Sequence, residues 1–471
     1  MIFNSFHNEL VFSKMIKTFL ITLIFHQTIL FSKKIDFNAM APLHVMHYND
    51  SNLEEQKDWA LFAKHLDEAN TIGVDAISVD VWWGFVEKQN NVFHWSYYFK
   101  IFDMIIENSL DIIPIMSFHS FDPGENSKFR APVPSWAWDL ISKESGLGLE
   151  DLKYNSEDVD INKQHKYSDE YISLWADKWT LVQYSEFIRE FIFVFKDYLP
   201  YFQEINISLG PTGELRYPSY NGHDGGKYPN RGRMQCFSKP AKDNFLKWMQ
   251  EKYPAKTKFS DILVKSSEFK NNIKKQNYRS NPDIQNLFQW YNYSLMKHGN
   301  RVLKIAMELI PENISVGFKM PGIHWKIKDP KMARISEMTC GLINAKTLNG
   351  EEAYANSLKM VISDLPLERL IFHFTCIEQV NSTRIDDFKT SYSRPEILVD
   401  EVLAASKALG LIIKGENSLS KNLYNESAWL KIDNILETKR LSGVTIMRVK
   451  DISKDNPLGF KQYKSLIKKN K

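Results

Sequence analysis

The chain predicts an α/β fold: a single (β/α)8 barrel of TIM type with long loops after strands three and four. Three observations carry that expectation. Eight short apolar or β-branched runs recur from residue 42 onward, longer amphipathic stretches separate them, and polar residues collect just beyond nearly every run.

The eight runs read as strands at PLHVMHY (42–48), VDAISVDVW (74–82), DIIPIMSF (111–118), EINISLG (204–210), ISVGFK (314–319), LIFHFTC (370–376), LGLIIKG (409–415) and GVTIMR (443–448). Between them, NLEEQKDWALFAKHLDEANTIG (52–73) and YSEFIREFIFVFKDYL (184–199) place apolar residues three and four apart, the spacing of helices that cover a sheet. The excursions after the third and fourth runs exceed an ordinary strand–helix loop and carry Gly, Pro, Trp and Tyr, material for substrate walls. The basic tail PLGFKQYKSLIKKNK (457–471) reads as a solvated last helix, so the barrel is expected over 40–471 with no appended binding module.

Composition narrows the function. With 43% hydrophobic and 25% charged residues among 471, the chain can build a large core and is not disordered as a whole. Sixty basic residues against 57 acidic leave a net charge of +3, too balanced for a surface that tracks phosphates, so nucleic acid is not an expected partner. Cys236, Cys340 and Cys376 fit neither a disulfide framework nor a CxxC metal site, and are expected to be thiols. Met15-Ile-Lys17 leads into FLITLIFHQTILF, which ends at Phe31 before Ser32-Lys33-Lys34. That pattern reads as a signal peptide over 1–34, with Met15 a candidate true start, and predicts a secreted or periplasmic protein. The run falls short of the roughly 20 apolar residues that span a bilayer, so no stable membrane insertion is expected.

Barrel enzymes assemble their sites at the C-terminal ends of the strands. There the chain offers Asp80, Trp82 and Trp83 in DVWWG, Ser117 and His119 in SFH, and Glu214, Arg216 and Tyr220 in GPTGELRYPSY. Lys319 follows, then His324 and Trp325 in GIHW, Thr375, Cys376 and Glu378 after strand six, Glu416 and Asn417 in GEN, and Arg448. Cleaving a glycosidic bond needs one protonated carboxyl to release the leaving oxygen and one carboxylate across the sugar ring. Strands four and seven, nearly opposite in an eight-membered ring, each supply a Glu, and Gly, Pro and aromatic residues frame Glu214 closely. Glu378 competes with Glu416 for the second role. Asp80 can hold sugar hydroxyls, and Lys319 can bind the sugar or keep Glu416 ionised. His119 and His324 have no third ligand at metal spacing, and no Gly-rich phosphate turn opens a helix, so neither a metal nor a cofactor is expected.

Taken in order, DVWWG, MSFH, VPSW, GPTGELRYPSY, GIHW, FTCIE and GEN resemble the β-amylases, glycoside hydrolase family 14, over roughly residues 40–450. The resemblance implies a monomeric exo-acting enzyme that takes α-1,4-glucans and releases maltose from non-reducing ends with inversion. It also implies Glu214 as general acid, Glu416 as general base, and Asp80, His119, Lys319, His324, Thr375, Asn417 and Arg448 in the glucose subsites. Two departures stand out. Where the family has a lid reading like HQCGGNVGD, this chain has HSFDPGENSKFRAPVPSW, with Asp122 and Glu125 as candidate replacements for the lid's acid; and Leu342 and Ile343 stand where the family places Tyr. A retaining barrel glycosidase, which would also carry Glu on strands four and seven, and a glucan-binding sensor without turnover are the alternatives.

Overall fold

The structure is a computed structural model and describes residues 35–47, 55–121, 129–156, 167–219, 232–255, 277–438 and 440–471. The expected signal segment, together with Tyr220, Asp122 and Glu125, lies outside the described residues.

Eight strands close into one barrel: β1 Asp36–Met40, β2 Ala76–Trp82, β3 Asp111–Ser117, β4 Glu204–Ile207, β5 Ser315–Met320, β6 Leu370–Phe374, β7 Ile412–Glu416 and β8 Gly443–Ile446. Each pairs in parallel with its sequence neighbours, and β8 closes on β1. Helices α1 Glu55–Ile72, α2 Ser96–Glu107, α3 Asp177–Val194, α4 Pro282–Leu309, α5 Gly350–Val361, α6 Pro395–Ala408, α7 Glu426–Glu437 and α8 Pro457–Asn470 follow the strands in turn. The expected (β/α)8 barrel is therefore what forms, with further helices at Ser135–Ser145 and Lys239–Lys252 inside the two long excursions. Helix starts follow sequence chemistry: Asn281 caps α4 by accepting from the Asp283 and Ile284 amides, with Pro282 at the first helical position.

Outward strand residues such as Phe37, Ile77, Ile112 and Ile205 are fully buried under the helices and build the apolar layer. The inward face is polar. Paired residues share a face, and the register aligns Lys319, His373, Lys414, Gly443 and Asp36 in one inward row, and Asn38, Thr445 and Glu416 in another. Below the mouth, Lys414 Nζ lies 2.9 Å from both Asp36 Oδ2 and Glu204 Oε2, while His373 Nε2 lies 2.7 Å from Glu204 Oε1. Lys414, Glu204 and His373 are almost wholly enclosed, with Asp36 half-buried at the edge, and they persist because each meets an opposite charge or a hydrogen bond.

Three expectations need correction. The first strand is not PLHVMHY but Asp36–Met40, and Val45–His47 is a short 3₁₀ turn in the loop that follows. The cause is the polar interior: only Phe37 and Ala39 of β1 face the apolar layer, so the strand lacks the hydrophobic run that marks its neighbours. The helix expected at 184–199 is α3, which begins at Asp177, ends at Val194 and gives way to a 3₁₀ turn containing Pro200. The tail does form a helix, α8, with Lys461, Lys464, Lys468 and Lys469 exposed as expected, but its other face is docked: Tyr463 Oη donates to the Asn38 carbonyl at 2.8 Å with the Val444 carbonyl at 3.0 Å, and Leu466 and Ile467 are buried. The three cysteines are buried thiols. Among the described residues no helix is long and apolar enough to cross a membrane.

Candidate active site

The residues beyond the strand ends enclose one cavity of about 370 Å³ at the mouth. Its wall includes Asp80, His119, Glu214, Lys319, Thr375, Glu416, Asn417 and Arg448, eight of the nine residues singled out from the sequence. His324 does not line it. The His324 ring is buried, with Nδ1 2.7 Å from Ser393 Oγ and its face against Trp325, and burial pulls its pKa down to about 4. Glu378 also stays out of the wall. It accepts from the Ser418 amide and hydroxyl, the Leu419 amide and Asn422 Nδ2 at 3.0–3.1 Å, and so fixes the loop that leaves β7.

Glu214 ends a tightly wound turn. Thr212 and Gly213 both take positive φ, 57° and 81°, which lets GPTGE reverse direction and return beside β5, where the Leu215 amide donates to the Lys319 carbonyl at 2.8 Å. The Glu214 carboxylate accepts from Thr212 Oγ1 at 3.0 Å and Arg216 Nε at 3.2 Å. Burial raises its pKa above the usual carboxylate value against the opposing pull of Arg216 and Thr212, and the charge of Glu416 raises it further. Arg216 is itself pinned by the Tyr217 and Ser219 carbonyls, so this cation cannot swing away.

Glu416, the last residue of β7, sits in the opposite environment. The Lys319 ammonium straddles its carboxylate, 2.8 Å from Oε2 and 3.1 Å from Oε1, and both side chains are nearly enclosed. One glutamate thus has its neutral form favoured by burial, while the other holds an ion pair.

The remaining wall is polar and held in place. Asp80 accepts from Ser117 Oγ at 2.9 Å, and burial raises its pKa while Arg448 and Lys319 oppose. His119 meets Ser208 Oγ at 2.9 Å and stands edge-on to Trp82; burial, reinforced by the charges of Lys319 and Arg216, drives its pKa down to about 3, so the ring is neutral. Thr375 Oγ1 accepts from the Gly322 amide, and the next residue, Cys376, is forced to φ 66°. Asn417 turns its Oδ1 to the Met447 amide at 2.7 Å and leaves Nδ2 buried without a protein partner, a donor available to a ligand. Among the described residues no group of three His, Cys, Asp or Glu side chains could hold a metal ion.

Several wall residues escaped the sequence reading. Met40 and Leu43 were hidden by the misplaced first strand, whose true C-terminal end is Met40. Asn206 forms part of the floor, and its signal was available in the polar alternation Glu204, Asn206, Ser208 along β4. The ends of the expected lid are tied by reciprocal hydrogen bonds between Phe121 and Ala131 at 2.8 and 3.0 Å, and Phe121 reaches the cavity.

Comparison with known proteins agrees with this architecture. The family described as glycosyl hydrolase family 14 matches residues 39–470. The thermophilic beta-amylase of Thermoanaerobacterium thermosulfurigenes is 29% identical over 457 residues, covering 94% of this chain and 77% of that protein. The beta-amylase of Cytobacillus firmus is 30% identical over 429 residues, covering 87% and 85% respectively. The crystal structure of the catalytic domain of beta-amylase from Paenibacillus polymyxa superposes with a TM-score of 0.76 at 27% identity, covering 93% of this chain and 99% of that one. A closed parallel barrel, a polar mouth bearing two glutamates and a match along nearly the whole described length together establish that the chain is a glycoside hydrolase belonging to family 14.

Proposed function

We propose that the protein hydrolyses α-1,4-glucosidic bonds of starch-like glucans as a β-amylase, releasing β-maltose from non-reducing ends by single displacement. Glu214 protonates the departing glycosidic oxygen, and Glu416 takes a proton from the water that attacks the anomeric carbon from the other face. The observation that carries this reading is the electrostatic contrast across one cavity: burial keeps Glu214 protonated to higher pH, and Lys319 pairs with the anionic form of Glu416. A carboxyl whose neutral form burial favours, facing a carboxylate paired with a buried ammonium, divides the roles into an acid and a base.

The other wall residues fit substrate binding. Asp80 offers an acceptor, Asn417 Nδ2 and Arg448 offer donors, neutral His119 can do either, and Thr375 stands where it can position the sugar or the water. His324 is left for a contact outside the cavity proper. The basic, apolar, basic pattern ahead of residue 35 supports secretion, which sequencing of the mature N-terminus would check.

Incubation with soluble starch tests the assignment. Maltose release that falls by at least about a thousandfold in Glu214→Gln and in Glu416→Gln is the expected result, in line with the worth of acid–base groups. Binding without product from the unaltered protein would make it a glucan sensor and end the catalytic reading.

A further inference from the structure

Both arms of the Glu214 turn rest on one place on helix α4. On the way in, the Leu209 carbonyl meets His298 Nε2 at 3.2 Å. On the way out, Leu215 packs on Gly299, where an added Cβ would lie 3.0 Å from both Leu215 methyls and 3.6 Å from a Leu209 methyl. Two consecutive residues in the middle of a 28-residue helix therefore hold the start and the end of the segment that aims Glu214.

His298 is held in turn. Its Nδ1 lies 2.8 and 2.9 Å from the two carboxylate oxygens of Asp177, the first residue of α3, and Arg301 Nε donates to the same carboxylate at 3.0 Å. All of this is buried apart from the outer part of Arg301, and Tyr171 closes the ring edge-on. Both imidazole nitrogens face oxygen atoms, so the ring bridges a carboxylate and a backbone carbonyl. Helices α3 and α4, one carrying the anion and the other the imidazole, are thereby joined directly, and the turn that bears the proposed acid rests on that joint.

We propose that His298, backed by Asp177 and Arg301, is a positioning residue for Glu214: it anchors the Leu209 carbonyl, and with it the angle at which the Glu214 carboxyl meets the leaving oxygen. The proposal rests on the reading of Glu214 as general acid. Releasing the carbonyl lets the turn relax by a fraction of an ångström, which is enough to misdirect a proton without disturbing the subsites on the other strands.

A leaving group that needs no proton separates this role from a merely structural one. In His298→Gln, kcat on maltopentaose should fall about 100-fold with KM within about twofold, while kcat on α-maltosyl fluoride stays within about threefold of the parent. Gly299→Ala, which pushes Leu215 without touching a charge, should show the same split, and it decides the matter if His298→Gln does not fold. Equal loss on both substrates, or no loss on either, overturns the positioning role. Glu214→Gln runs alongside: full turnover of maltopentaose by that variant would remove the acid assignment itself, whatever His298 does.

Discussion

Two clusters of charge occupy the same barrel, with His373 and Lys414 of the lower one two residues before Thr375 and Glu416 of the upper one. The lower one joins Glu204 on β4, His373 on β6, Lys414 on β7 and Asp36 on β1. The upper one places Glu214 beyond β4, Thr375 beyond β6, Glu416 on β7 and Lys319 on β5 around the cavity. Both are largely enclosed by the barrel, yet they differ in how they are closed. In the lower cluster each carboxylate oxygen of Glu204 has its own partner, and Lys414 reaches Asp36, Glu204 and Gln203. In the upper cluster Glu214 keeps a raised pKa despite Arg216, and Asn417 Nδ2 has no protein partner. Both carboxylate oxygens of Glu204 are taken up by the fold, and the one atom of the lower cluster without a partner, His373 Nδ1, does not reach the cavity, whereas Asn417 Nδ2 and the two upper glutamates line it.

The contrast predicts opposite consequences for similar substitutions. The largest effect belongs above: Glu416→Gln should cost at least about a thousandfold in kcat per folded molecule. Loss of folded protein instead would show the upper cluster to be structural. Below, Glu204→Gln leaves Lys414 buried with less compensation and should cost about 3–5 kcal/mol in denaturant unfolding, with turnover per folded molecule retained. The pH dependence follows from the sign of its shift. Lys414 and His373 hold the Glu204 carboxyl well below its ordinary value of 4.5 despite burial. Its contribution to stability is therefore complete above that value and is lost as pH falls through the lower folded value, and the Gln variant should show a flatter acid limb.

Smaller effects sharpen the boundary. Arg216 opposes the raised pKa of Glu214, so Arg216→Gln should lift it further and move the basic limb of the kcat–pH profile upward by about one unit; a downward shift would separate that limb from Glu214. Glu378 stands near the upper cluster but is closed on four donors like the lower one. Glu378→Gln should accordingly cost about 1–2 kcal/mol of stability and less than tenfold in kcat. A loss matching that of Glu416→Gln would make it the competing base after all.

The same contrast explains what could be read from the sequence. β2, β3, β5 and β6 announce themselves by β-branched and aromatic runs because their outward residues meet the helices, and the two framed glutamates stand in the turn beyond β4 and at the end of β7. β1 does not, because Asp36 and Asn38 serve the polar interior, and its loss from the reading took Met40 and Leu43 with it. His324 lies beside Trp325 in a motif, but its ring turns to Ser393, a partner 69 residues away that no local pattern reveals. His298 leaves no local trace either, since it sits mid-helix and its partner Asp177 is 121 residues distant. Sites framed by Gly and Pro are legible; sites made by helices crossing are not.

Single displacement requires Glu214 and Glu416 to act from opposite faces of the sugar, and the product's first anomeric form reports that directly. Proton NMR of maltopentaose during the first minutes of digestion should show β-maltose appearing before mutarotation, with no glucose. Initial release of α-maltose would mean a retaining displacement and would contradict the roles assigned to both glutamates.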